Sequence, residues 1–355
     1  MLAERLRELI RARGPITFRD WMVAALYDPE FGYYNRSDLQ RWGREADYRT
    51  SAERSELFAA TFARYFARLY EELGCPARWT IVEGGAGQGR FAQRVLRTLV
   101  EEYSHVFEAT RYCVDEISED SESRTRALLA EFGERVCYKW RETLDKGIHF
   151  SNELLDAFPV HRVVREGELY VTLDVEDRFV WTTSAFSTPR LAEHALSLAE
   201  GQIIEVNLGV DDWFASVAAK ISHGFVVTVD YGAEEDELYD PVLRPNGTLR
   251  AFSRHGFVED VLSAPGEYDI TSSVNWTQVK AVGERFGFQV VDFERQDKFL
   301  LSAGLLEELQ HRLARTENEA DKVRLTTDAK EMILPGGMAS SFQVLVQKRG
   351  ETDGA

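Results

Sequence analysis

The sequence predicts an α/β fold: a parallel sheet flanked by helices, preceded by a helical N-terminal region and interrupted by an inserted antiparallel β meander. Three observations predict it. Between residues 79 and 150, short apolar runs alternate with amphipathic stretches in the order strand, helix, strand, helix, strand, the order a parallel sheet requires. A glycine-rich turn joins the first of those strands to the first of those helices. Residues 161–183 change texture, with Val163, Leu169, Val171, Leu173 and Val175 at the spacing of half-buried antiparallel strands.

The chain has 355 residues, more than the roughly 250–300 at which one core stops growing, so a main domain with appended parts is expected. The division that follows is 1–75 for the helical N-terminal segment, 76–160 and 220–350 for the sheet core, and 161–219 for the insertion. With 42 Lys+Arg against 60 Asp+Glu, the net charge of -18 argues against nucleic acid as a partner, because phosphate must be neutralised by a basic face. No apolar run approaches the ~18 residues of a membrane span. Residues 1–13 lack the apolar stretch of a signal peptide, and their glutamates argue against a transit peptide. A cytoplasmic location is therefore expected. Cys75, Cys113 and Cys137 are far apart in sequence and form no CxxC pair, and the seven histidines are scattered. Neither a disulfide framework nor a metal site is expected, and Cys113, inside an apolar run, reads as a core residue.

The elements follow in order. Leu2, Leu6, Leu9 and Ile10 share one helical face until Gly14-Pro15 stops the helix. Thr17 caps a second helix to about Leu26, with Asp20 in the place of a capping-box acid. Residues 55–73 form a helix whose stripe of Phe58, Phe62, Tyr65, Phe66 and Leu69 reads as core. The sheet pattern starts with residues 79–82, then a helix over 90–103, a strand over 111–117, a helix over 122–132 and a strand over 148–150. After the meander, Phe225 to Val229 form the strongest remaining strand, ending at Asp230-Tyr231-Gly232. A loop-rich stretch covers 233–271. A helix over 277–286, a strand over 288–293, a long helical region over 298–332, either continuous or broken, and a strand over 342–346 close the chain.

Glu83-Gly84-Gly85-Ala86-Gly87-Gln88-Gly89 fits E-x-G-x-G-x-G between a strand and a helix. Glycine is needed where the turn is tight and a cofactor approaches the backbone. A dinucleotide loop would read G-x-G-x-x-G and offer a helix N-terminus to a diphosphate. An acid directly before the glycines repels a diphosphate and suits a cation. S-adenosylmethionine carries an ammonium and a sulfonium and no phosphate, so Glu83, Gly85, Ala86, Gly87 and Gly89 read as its cradle, in preference to NAD. A second acid ending the next strand would bind the ribose hydroxyls. Glu116 is the first choice, because Ile117-Ser118 then begin the following turn, and Asp115 is the alternative. The third signal is Ser151-Asn152-Glu153-Leu154-Leu155-Asp156-Ala157-Phe158-Pro159. It follows the third strand of the unit, where strand ends line a ligand crevice. Asn152 and Glu153 could face cofactor and acceptor together, and Asp156 reads equally as a helix cap.

With these pieces in place the sequence resembles the MidA-type class I methyltransferases, over about residues 16–346. The matching pieces are Phe18-Arg19-Asp20-Trp21-Met22, Ala25-Leu26-Tyr27-Asp28-Pro29, Gly32-Tyr33-Tyr34, Thr50-Ser51 and Glu83 to Gly89. They continue with Ser151-Asn152-Glu153, Asp156-Ala157-Phe158-Pro159, Asp230-Tyr231-Gly232, Gly247-Thr248-Leu249-Arg250 and Asp269-Ile270-Thr271. Departures fall at Ala46-Asp47-Tyr48, Ala52, Ser272-Ser273-Val274 and Met338-Ala339-Ser340, all outside the glycine loop. The resemblance implies a class I methyltransferase (Rossmann-like) sheet, S-adenosyl-L-methionine as cofactor, and Thr50 and Ser51 at the cofactor. It also implies a protein arginine as acceptor, since the family's mitochondrial member assists assembly of respiratory complex I by methylating an arginine. An arginine stays protonated in water, and a carboxylate can grip its guanidinium bidentately. Glu153 is the first candidate for that grip, with Asp156 or Asp230 second. Tyr33, Tyr34 and Tyr48 read either as walls of an acceptor channel or as core. The expected partner is thus the methyl acceptor, with no nucleic acid and no membrane insertion, and a homodimer is left open. Competing readings are a methyltransferase for a small molecule or another protein, and a cofactor-binding assembly factor without activity. A nicotinamide-dependent oxidoreductase is disfavoured by the acid before the glycines.

Overall fold

The computed structural model describes residues 1–36, 55–253, 256–334 and 341–350. They fall into two compact units. One takes in Thr50–Leu154, Phe214–Tyr231 and Lys280–Ala355, the other Met1–Arg49, Leu155–Trp213 and Gly232–Val279. Helices Leu2–Arg13 and Phe18–Tyr27 thus group with the inserted strands, and helix Glu56–Glu72 groups with the parallel sheet.

The first unit is built on strands β2 (Trp79–Gly84), β3 (Thr110–Asp115), β4 (Val136–Tyr138), β5 (Leu144–Asn152), β10 (Ile221–Ala233), β15 (Gln289–Arg295) and β16 (Phe342–Arg349), in the order β15-β16-β10-β5-β2-β3-β4. Strands β2, β3, β4, β5 and β10 are parallel, and β16 runs antiparallel to both its neighbours. All six residues of β2 are buried, as a central parallel strand with both faces covered requires. Helix Glu56–Glu72 starts where Ser55 Oγ accepts the Leu57 amide. Its aromatic stripe is core, as expected: Phe62 packs against Phe91, Phe150 and Phe299. From β2 the chain winds outward to β3 and β4, then returns through β5 to β10. The switch point therefore lies between β2 and β5.

In the second unit, β1 (Ile16–Thr17), β6 (His161–Val164), β7 (Gly167–Leu173), β8 (Phe179–Ser184) and β9 (Ile203–Val206) form an antiparallel sheet. Strands β6, β7 and β8 are the expected meander, and β1, from the N-terminal segment, pairs onto β7. Helices Leu2–Arg13 and Phe18–Tyr27 bury Leu2, Leu6, Ile10, Phe18, Trp21 and Met22 in the same core as Val160, Val171 and Ile270. Thr17 Oγ1 accepts the Asp20 amide at 3.0 Å, so the cap is as read. The Asp20 carboxylate bonds Arg19 instead of completing the box.

The long helical region is broken, one of the two forms left open by the sequence, into three helices, Gln296–Ala303, Leu305–Arg315 and Glu319–Ile333. Gly304, left-handed at φ 102°, ends the first, and Asn318 caps the third. The loop-rich stretch after β10 carries strands as well: β11 (Arg250–Ser253), β12 (Gly256–Phe257) and β13 (Asp269–Thr271) pair within it, and β14 (Val274–Asn275) just beyond it pairs with Gly232 and Ala233 at the end of β10. No helix begins at Asp156. Residues 153–160 are turns leading to β6, so the cap reading fails. Tyr33 and Tyr34 are packed with the core of the second unit. Tyr34 donates to Asp269 Oδ1 at 2.7 Å, and burial holds its pKa well above the usual phenol value. Tyr48 lies outside the described residues.

Candidate functional site

Ligands of open α/β sheets bind outside the carboxyl ends of the strands at the switch point, which here means the ends of β2 and β5. Beyond Gly84 the chain turns sharply. The Gly85 amide donates to the Asp115 carbonyl at 2.9 Å, and Thr125 Oγ1 donates to the Gly87 carbonyl at 3.1 Å. The Ala86 carbonyl accepts the Gly89 amide. Gly89 caps helix Arg90–Glu102 in the left-handed conformation, φ 74°. A Cβ on Gly89 would stand 2.5 Å from Thr125 Cγ2, and one on Gly85 (φ 68°) 3.0 Å from Leu154 Cδ1. The loop is thus glycine for lack of room as well as for backbone freedom. Gly89→Ala is expected to cost roughly 1–3 kcal/mol in stability and to weaken S-adenosylmethionine binding at least tenfold, as thermal unfolding and calorimetric titration would show. An unchanged affinity would remove the loop from the cofactor site.

The two strand-end acids part company. Glu116 reaches across the glycine loop: its Oε2 accepts the Gly87 amide at 2.8 Å, and its Oε1 accepts the Ser118 amide at 2.9 Å. Asp115 turns to the next loop, where its Oδ1 accepts the Trp140 amide at 3.3 Å, and burial raises its pKa. The structure therefore brings Glu116, and not the Asp115 carboxylate, to Gly87.

Glu83 is 5% exposed. Tyr112 Oη donates to its Oε2 at 2.8 Å from the neighbouring strand. Burial pushes its pKa from 4.5 up to about 8, against the Tyr112 hydrogen bond, and the Glu116 charge pushes it the same way. A carboxylate buried this way is poised to ionise against a cation.

At the end of β5, Glu153 adopts φ 53°, a left-handed conformation that a residue with a side chain rarely takes. Its amide donates to the Val229 carbonyl at 2.9 Å, and the next amide, Leu154, donates to Asp230 Oδ2 at 3.2 Å. Asp230 is fully buried, and its Oδ1 accepts the Tyr231 amide. Asn152 Nδ2 donates to Glu153 Oε1 at 3.1 Å. Asp230 thus clamps the turn that carries Glu153. Asp156 belongs to the other unit, where it is buried and its carbonyl accepts the Ser272 amide. Thr50 and Ser51 lie outside the described residues. The sequence reading missed Tyr112 and Thr125, whose roles depend on strand register and helix placement. It had Asp230 in view as an acid ending a strong strand, without its backbone contacts.

These residues fit S-adenosylmethionine. Acids flank the loop at Glu83, Asp115 and Glu116, which suits an ammonium and hydroxyl groups and opposes a diphosphate. The sheet order, the glycine loop at the switch point and the acids define a class I, Rossmann-like methyltransferase fold. The family model described as "Putative S-adenosyl-L-methionine-dependent methyltransferase" matches residues 61–294. The chain belongs to that family and is an S-adenosylmethionine-dependent methyltransferase. A solved structure from Burkholderia thailandensis, bound to S-adenosyl-homocysteine, is similar over 100% of this chain and 93% of its own, with a TM-score of 0.88 and 28% identity. The Drosophila melanogaster protein named "Protein arginine methyltransferase NDUFAF7 homolog, mitochondrial" is 27% identical, over 81% of this chain and 70% of its own length. The Bos taurus protein arginine methyltransferase NDUFAF7 is 23% identical, over 95% of this chain and 80% of its own.

Proposed function

We propose that this methyltransferase acts on a protein arginine, gripped by Glu153. The observation that carries the reading is the Glu153 turn: a carboxylate at the carboxyl edge of the sheet, held out of ordinary backbone geometry by Val229 and Asp230. Relatives named as protein arginine methyltransferases support it. S-adenosylmethionine supplies an electrophilic methyl on a cationic sulfur. In this reading Glu83 holds the cationic amino end of the cofactor, Glu116 the ribose hydroxyls, and Gly85, Ala86, Gly87 and Gly89 allow close approach. An arginine side chain stays charged at any ordinary pH. The Glu153 carboxylate would pair with two of its nitrogens and present the third at the ~3–3.5 Å that a displacement needs, and the nitrogen that takes the methyl gives up one proton to solvent, so that the methylated guanidinium keeps its charge. Asn152 fixes one Glu153 oxygen and so the direction of the grip.

The test uses methyl-labelled S-adenosylmethionine with matched peptides bearing arginine, lysine or neither, and with Glu153→Gln alongside. An arginine-bearing segment of a complex I subunit, the acceptor that the sequence resemblance implies, is the first to try. Label on arginine alone is expected, reduced at least a hundredfold in Glu153→Gln while cofactor affinity changes less than threefold. Label on lysine, or transfer only to small molecules, overturns the acceptor. Cofactor binding with no transfer to any acceptor favours an assembly factor.

A further inference from the structure

Strands β3 and β4 pair in parallel, and their register sets Cys113 directly beside Cys137. Registered residues on neighbouring strands share a face and sit ~4.8 Å apart, inside the ~4.4–6.8 Å between Cα atoms that a disulfide bridges. Each thiol perturbs the other's ionisation, raising the pKa of Cys113 and lowering that of Cys137. We propose that Cys113 and Cys137 form an oxidisable dithiol, a modification site at which a small hydroperoxide makes a reversible disulfide, with Cys137 attacking and Cys113 resolving.

The two roles follow from the surroundings. Cys113 is buried on an inner strand. Cys137 is half-buried on β4, the last strand in the sheet order. The neighbouring Cys113 thiol lowers the Cys137 pKa and outweighs burial. The guanidinium of Arg111, two residues before Cys113 on the same face, adds to the effect, and Glu142, the ion-pair partner of Arg111, opposes it. The thiolate is the nucleophile, so the more accessible, more acidic thiol reacts first. Cys137 thiolate attacks one peroxide oxygen, the O–O bond breaks, and the other oxygen leaves with a proton as water or alcohol. Cys137 is then a sulfenic acid. The Cys113 sulfur attacks the Cys137 sulfur, the S–S bond forms, and hydroxide leaves with the Cys113 proton as water. Two thiols are oxidised by two electrons and one hydroperoxide is reduced.

The full-length protein would be treated with hydrogen peroxide and its free thiols counted, with peptides mapped by mass spectrometry. Three thiols are expected to fall to one, the exposed Cys75. The mapped loss should be two hydrogens between Cys113 and Cys137, and dithiothreitol should restore all three thiols. In Cys113→Ser the reaction stops at a sulfenic acid on residue 137 that dimedone traps. In Cys137→Ser fast oxidation is lost although Cys113 and Cys75 remain. Arg111→Gln slows the wild-type reaction several-fold. Oxidation of Cys75 while Cys113 and Cys137 both persist as thiols would overturn the proposal, as would dimedone trapping at residue 113 in place of 137.

Discussion

Replacing Glu83 by glutamine is expected to make the protein more stable at pH 9 and a much poorer binder of S-adenosylmethionine. Both effects come from the same buried carboxyl. Folding raises its pKa from 4.5 to about 8. Below about pH 4.5 the group is neutral whether the chain is folded or not. Between that pH and about 8, folding takes up a proton, and stability drains away at up to ~1.4 kcal/mol per pH unit. Above about pH 8 the folded protein carries a buried charge beside Glu116. Glutamine never ionises, so the variant escapes this loss, while its amide nitrogen at one carboxyl position costs roughly 1 kcal/mol if it finds no acceptor. The two proteins should therefore match within about 1 kcal/mol near pH 5. The loss over that window comes to roughly 5 kcal/mol, so after the amide's cost the variant should lead by roughly 4 kcal/mol at pH 9.

Cofactor affinity runs the other way. A cationic amino group beside Glu83 favours the ionised carboxylate, and a charge-assisted hydrogen bond of this kind is worth about 1.5–3 kcal/mol. Affinity in the variant should fall about 10–100-fold. Binding to the wild type should release a proton near pH 7, seen as a dependence of calorimetric heat on buffer ionisation enthalpy, and Glu83→Gln should lose it. A variant that binds as well as wild type would take Glu83 out of the site. A stability difference that does not grow between pH 5 and 9 would mean that Glu83 is not the buried acid described.

The parts of the molecule that were legible in the sequence are those set by local pattern. Alternating apolar runs and amphipathic helices mark β2, β3, β5 and β10, because buried parallel strands and their covering helices each have a chemistry of their own. The glycine loop and the strand-end acids lie within a few residues of those strands, so they came with them. Gly304 supplies one of the breaks that the long C-terminal helical region was left open to. Register was not legible. Nothing local places Tyr112 against Glu83, or Cys113 beside Cys137. The cysteines look isolated in sequence because β4 is only three residues long, too short for a periodic signal. The grouping of Met1–Arg49 with Leu155–Trp213 and Gly232–Val279 was hidden for a related reason. It rests on tertiary contacts such as Ile16 with Val171 and Tyr27 with the Ala157 carbonyl.

Glu153→Gly is the variant expected to separate strain from chemistry. A left-handed backbone costs a residue with a side chain roughly 1–2 kcal/mol, and glycine removes that cost. Glycine also gives the unfolded chain more freedom, which takes back about 0.5–1 kcal/mol. The backbone bonds from Glu153 to Val229 and from Leu154 to Asp230 survive the change. The lost Asn152–Glu153 bond is only part-buried, so water replaces it. Stability should therefore hold or rise by up to ~1 kcal/mol, while methyl transfer at saturating cofactor falls at least a hundredfold. Glu153→Gln keeps the strain and loses the charge, so it should match wild type in stability and the glycine variant in turnover. Asp230→Asn should instead lower stability and, by loosening the turn, turnover with it. An amide has one oxygen for the two backbone donors, Leu154 and Tyr231, that the carboxylate now serves, and leaving one unmet costs about 1–3 kcal/mol. Unfolding midpoints and single-turnover rates on the three variants decide the matter. If Glu153→Gly turns over normally, the carboxylate does not grip the acceptor. If it unfolds more than 1 kcal/mol more easily, the turn is not strained, and Asp230 holds a backbone that would adopt this geometry unaided.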